Sequence, residues 1–300
     1  MIAALVLLAY AVVLAAVGPR PLARLPEQHG YPLSTVAAWY LAGTWAAVAA
    51  ASAVVLLVGL PPHADGRLVG LLPGSPALAH HPHEHLPELT APVALAVGAA
   101  ALARLGWVAV AGARAQRRAR RRHLASLRLL GGAEAAPGVH VLPAATPAVY
   151  CLGGRRPVIV ATTGALRALT GRQLAAVLEH ERCHLRERHH LLILAANLAA
   201  RAFPFVPLLV AARERVPALL ELRADDVAAR RHGPRALVEA LAVLATARPA
   251  AGLAAGGPGI AARAQRLLRG GVRPKPWRLI GLFGAVVLGP LSALVVPFCW

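Results

Sequence analysis

A run of arginines directly behind an apolar stretch constrains this chain more than any other feature. Ala91 to Ala113 reaches the roughly 20 residues needed to cross hydrocarbon. Arg114, Arg117, Arg118, Arg120, Arg121 and Arg122 follow at once. Such flanks stay on the cytoplasmic side, so this span is expected to end there. Val36 to Leu60 and Leu279 to Cys299 are apolar stretches of similar length, although Pro290 and Pro297 should bend the second. Ile2 to Val17 is shorter. It lacks the basic n-region of a signal peptide and is followed by Arg20 and Arg24, so a retained helix with an outer N-terminus is expected. The organisation predicted is a three-helix transmembrane region over 1–113 (spans about 2–17, 36–60 and 91–113), a cytoplasm-facing polar domain over 114–278, and a C-terminal transmembrane helix over 279–300.

Composition agrees with a membrane protein. Apolar residues make up 57% of the chain and charged ones 15%, with a mean hydropathy of +0.57, which is unlike an ordinary soluble domain. The net charge of +19 reads as a basic surface beside anionic membrane lipid. No aromatic–basic interleaving or recognition motif accompanies it, so no direct nucleic-acid binding is expected. Cys151, Cys183 and Cys299 form neither a close pair nor a CxxC, which argues against a disulfide framework and a cysteine metal site.

Within the polar domain, Val139 to Leu142, Ala148 to Leu152 and Val158 to Ala161 are short β-prone runs separated by Pro and Gly, which predicts a small sheet. Thr170-Gly171-Arg172-Gln173 matches a capping box and predicts a helix running past His184. That helix carries His180-Glu181-Arg182-Cys183-His184. HExxH on a helix puts two imidazoles one turn apart, within reach of a single zinc ion, and places Glu181 as general base for an attacking water. Cys183 lies off the ligand face and reads as a packing residue.

Two histidines do not complete a hydrolytic zinc site, which takes a third protein ligand and leaves a position for water. Glu221-Leu222-Arg223-Ala224-Asp225 offers Glu221 for that place. Asp225, one turn along, is placed to fix a ligand imidazole by hydrogen bonding. Asp226 lies about 100° further round and reads as a solvent or cap residue. Arg182, Arg186 and His232 are candidate oxyanion donors, each more cheaply read as solvated basic surface. Because Glu221 must share a side with His180, the apolar segment about 190–212 is expected to dip into the membrane, or lie in a groove, and return. Val216 to Arg231 and Pro234 to Thr246 read as amphipathic helices, and Pro249 to Gly259 as loop. His80-His81-Pro82-His83-Glu84-His85 falls on the opposite side, either as a metal-binding or as a flexible polar loop.

Leu174 to Leu185 with its HExxH, followed by Glu221 to Asp226, resembles the membrane metallopeptidases of the BlaR/MecR type (peptidase family M56). These are related to the Ste24/HtpX-like gluzincins of family M48. Arg156 to Val160 and Thr163 to Leu166 also resemble their strand and helix ahead of the zinc helix. The resemblance implies a mainly α integral membrane protein with a gluzincin-like zinc peptidase unit and a small β-region. It implies one zinc ion on His180, His184 and Glu221, Glu181 as base, Asp225 as support behind a ligand, and a site facing the cytoplasm of a bacterial cell membrane. Some relatives cleave cytoplasmic transcriptional repressors of the BlaI kind, which makes a repressor the expected substrate class. With the chain ending at Trp300, no outer penicillin-binding sensor domain is expected. The second function class is a signalling or scaffold protein that uses the same fold for partner binding, against which the intact Glu181 weighs.

Overall fold

A computed structural model describes residues 2–24, 32–58, 90–129, 133–246 and 259–270. The predicted C-terminal span, the histidine-rich loop and nearly all of the loop 249–259 lie outside the described residues. The chain is mainly α-helical, with three helices long and apolar enough to cross a membrane.

Helix α1 (Ile2–Val17) continues through a turn into the short α2 (Pro19–Arg24), so the apolar stretch reaches farther than its first sixteen residues. Helix α3 (Pro32–Val58) starts four residues before the predicted span, because a proline in the first turn gives up only an amide that has no helical partner. Helix α4 (Thr90–Leu129) is the predicted third span and the basic helix behind it, joined without a break.

The predicted runs form strands β2 (Val139–Leu142), β3 (Val149–Leu152) and β4 (Val158–Thr162). An unforeseen β1 (Ala133–Ala136) pairs antiparallel with β2 across Pro137-Gly138. The sheet order is β1-β2-β4-β3, with β2 and β4 parallel and β3 antiparallel to β4 at the edge. Ile159, Val160 and Ala161 of β4 are its most buried residues. Thr162 ends β4 and caps α5 (Thr163–Ala168), its Oγ1 accepting from Ala165 N–H at 3.1 Å. Gly164 passes so close to the backbone carbonyl of Ala145 that a Cβ would stand 2.0 Å from its oxygen, so no other residue fits there.

Helix α6 (Gly171–Arg186) opens with the predicted capping box: Gln173 N–H donates to Thr170 Oγ1, and Thr170 N–H donates to Gln173 Oε1 at 3.0 Å. Its apolar face packs with β3, β4, α5 and α9 (Pro234–Thr246), through Val149, Ile159, Val177 and Ala240. Its opposite side meets α8 (Pro207–His232), where Cys183 is buried against Ala224 and Val227 as a packing residue. The predicted helix from Val216 thus begins nine residues earlier, with Pro207 in its first turn. A further helix, α10 (Ile260–Leu268), closes the far side of α8 and α9.

Segment 190–212 is a helical hairpin of α7 (His189–Ala202) and the start of α8. Helix α7 runs antiparallel to α4. Gly112 faces Leu198 so closely that a Cβ would meet its side chain at 2.3 Å, and Arg104 Nε donates to the carbonyl of Ala202 at 2.5 Å. Helix α8 returns along α3, burying Leu208, Ala212, Val216 and Leu219 with Trp39 and Ala42. The hairpin therefore brings Glu221 back to the level of His180.

Candidate metal centre

Three donor groups converge where α6 and α8 cross. His180 Nε2 lies 3.1 Å from His184 Nε2 and 3.5 Å from a Glu221 oxygen, and His184 Nε2 lies 3.4 Å from the other. Zinc–ligand bonds of about 2.0–2.1 Å in tetrahedral geometry separate neighbouring donors by roughly 3.3–3.4 Å. The spacing fits the ion, and two imidazole nitrogens facing each other at 3.1 Å are the arrangement a cation between them would relieve.

Charge around the donors tells the same story. Burial pulls the His180 pKa down, but Asp225 and Glu221 outweigh it and raise the imidazole to about 9. Burial pushes Glu221 up, yet His180, Arg263 and His184 bring it down to about 2. Burial and the neighbouring His180 charge lower His184 to about 4. The two carboxylates face two positive groups, His180 and Arg263, and a divalent ion would take the position that the His180 proton otherwise serves.

Glu181 follows His180 on α6 and stands beside β3, where the Cys151 thiol and backbone N–H reach its carboxylate. Asp225 is fully buried, with Oδ1 3.1 Å from His180 Nδ1. That contact is close in distance but poorly aligned for a hydrogen bond, which leaves the buried Nδ1 without a well-directed acceptor. Arg263 of α10 grips Asp225 with two hydrogen bonds, at 2.7 and 2.6 Å, and places Nη1 3.0 Å from Glu221.

The structure thus brings together all five residues singled out from sequence: His180, Glu181, His184, Glu221 and Asp225. Arg186 is engaged by Glu179, so this candidate oxyanion donor is committed elsewhere. Asp226, read above as a solvent or cap residue, instead pairs with Arg266 at 2.6 Å, because α10 packs over that side of α8. Glu221 pairs with Arg263, while Arg223 pairs with Glu187. Sequence reasoning missed Arg263, Glu187 and the part played by His189. The only local signal for Arg263 was its spacing with Arg266, matching Asp225 and Asp226 in charge.

No curated protein and no solved structure matches the chain. Residues 139–220 match the family model of Peptidase family M48, a stretch that contains both histidines and Glu181 and stops one residue before Glu221, and over that stretch the chain is similar to metallopeptidases.

Proposed function

We propose that this chain is a zinc-dependent membrane endopeptidase with its site on the cytoplasmic side. The observation that carries the reading is the convergence of His180, His184 and Glu221 at tetrahedral spacing, with Glu181 beside them. These three side chains would hold the ion. A zinc ion held there would supply an acidified water and polarise a peptide carbonyl. Glu181 accepts the proton of the attacking water and delivers it to the leaving amine. Asp225 orients His180, and Arg263 orients both Asp225 and Glu221. Strand β3 lies at the sheet edge next to Glu181. An extended peptide can pair with such an edge anywhere along its length, which favours internal bonds over chain ends.

The test is metal content and cleavage of an unstructured protein substrate by the detergent-purified chain. One zinc per chain is expected, with cleavage lost on chelation and restored by zinc. A chain that binds no zinc at micromolar concentrations would overturn the reading.

Sidedness rests on Arg120, which lies within the arginine run and donates to the Gly153 carbonyl at 2.7 Å and to that of Arg156. The sheet and the site are thereby docked at the basic end of α4, which the positive-inside rule assigns to the cytoplasm. Helix α7 then descends along the apolar part of α4. Arg104 lies ten residues before Arg114, and Gly43, where an added Cβ would stand 3.5 Å from the Leu209 side chain, lies eleven after Pro32. At 1.5 Å per residue both markers correspond to a depth of about 15–17 Å for the α7–α8 turn below the basic end of the helices. The carbonyls at the end of α7 find their donor in Arg104, as backbone at that depth requires. A nitroxide at Phe205, which is 75% exposed, should be accessible to oxygen and shielded from a water-soluble nickel complex in vesicles. Ready access of the nickel complex would remove the membrane-dipping path.

The resemblance to family M56 extends the proposal to regulated cleavage of a cytoplasmic transcriptional repressor. A winged-helix repressor encoded beside this chain should be cut on co-expression with it. Stable repressor beside an active peptidase would reject that substrate.

A further inference from the structure

Behind His184 the chain makes a tight reversal. Arg188 sits in the left-handed region at φ 53°, a conformation that a residue with a side chain rarely adopts. The turn brings Glu187 and His189 together at the back of the imidazole. His189 is fully buried, with Nδ1 2.9 Å from His184 Nδ1 and Nε2 3.2 Å from Glu187 Oε2. Glu187 in turn accepts two hydrogen bonds from Arg223 of α8, from Nη2 at 2.6 Å and from Nε at 3.0 Å.

Proton positions along this row are dictated from its far end. Arg223 can only donate and an ionised Glu187 can only accept. Glu187 therefore takes the N–H of His189 Nε2, which leaves His189 Nδ1 as the acceptor of a neutral imidazole. His184 must present Nδ1–H to it. Its Nε2 is then an open lone pair facing His180 and Glu221, the tautomer that a metal ligand needs.

We propose that Arg223, Glu187 and His189 form a positioning relay that sets the ring orientation and tautomer of His184 for metal binding. The proposal rests on the zinc reading above. It makes the two histidines unequal: His180 meets its carboxylate directly, whereas His184 meets one through an intervening imidazole. Cys183, Glu187 and His189 also stand close enough to one another to hold an ion. Arg223 occupies Glu187 and both His189 nitrogens are engaged, so the relay accounts for this cluster without a second metal.

The experiment is zinc affinity by competition with a fluorescent chelator on the detergent-purified full chain, with the thermal midpoint of the zinc-free form read alongside. His189→Leu should weaken zinc binding about 10–100-fold, the range found when a partner behind a metal ligand is lost. His189→Asn keeps an acceptor near the position of Nδ1 and should recover affinity to within about threefold of wild type. Arg223→Gln disturbs the row from its half-exposed end and should weaken binding about two- to fivefold, which keeps the test open if His189→Leu fails to fold. Wild-type affinity in both His189→Leu and Arg223→Gln, with His184→Ala deficient, would overturn the relay and leave the metal centre standing. Equal weakness of His189→Leu and His189→Asn, with both folded, would also overturn it. Absence of zinc from the wild-type chain would instead remove the metal reading and the relay with it.

Discussion

Glu181→Gln should lower peptide cleavage by about a hundred- to ten-thousand-fold, the usual contribution of a positioned general base, while leaving the zinc content unchanged. Burial raises the Glu181 pKa, and Glu221 adds to that. The positive His180 and the Cys151 hydrogen bonds oppose them, and the net direction is upward. A carboxyl moved up from its ordinary value is better matched to taking and returning a proton near neutrality. Glutamine keeps the size of the side chain and can still accept from Cys151, but it takes no proton. The three donors that converge at the site are untouched, so metal should stay. Metal analysis and kcat/KM on the purified pair of proteins check this. Loss of zinc in Glu181→Gln would make Glu181 a ligand, and undiminished cleavage would move the base elsewhere.

What the sequence makes legible here is local. The capping box at Thr170, the turn between His180 and His184, and the turn between Glu221 and Asp225 are short-range spacings on helices, and each survives in the fold. Residues joined across long separations left no such trace. Arg263 meets Asp225 from 38 residues away, and Arg266 meets Asp226 from 40, across a Gly/Pro/Ala-rich stretch with no periodicity. Asp226 looked solvent-facing because its partner lay on an element that helical spacing cannot bring near. Strand β1 was missed for another reason. Ala133-Glu134-Ala135-Ala136 has helix-forming residues, and pairing with β2 overrides that preference. The chain turns between α7 and α8 around Pro204, and Pro207 starts α8. His189, five residues after His184, lacks the spacing to replace it as a ligand, and its geometry puts it at the back of His184.

Arg263→Met should be the most damaging change outside the converging donors. Asp225 is fully buried and Arg263 is nearly so, and the two share a pair of short hydrogen bonds. Methionine approximates the stem of arginine but leaves a buried carboxylate without its counter-ion, a loss that costs about 3–5 kcal/mol. The thermal midpoint should fall by on the order of 10 °C. Glu221 loses the contact with Nη1 at the same time, so zinc affinity should drop too. Adding Asp225→Leu separates these two effects. The double variant removes the stranded charge and should regain most of the lost stability, since an apolar pair often replaces a buried ion pair at little cost. It should not regain zinc affinity, because His180 then lacks the carboxylate that stands 3.1 Å from its Nδ1. An unchanged midpoint in Arg263→Met would mean that Asp225 is neutral in the folded chain. Recovery of zinc affinity in the double variant would show that Asp225 does not orient His180.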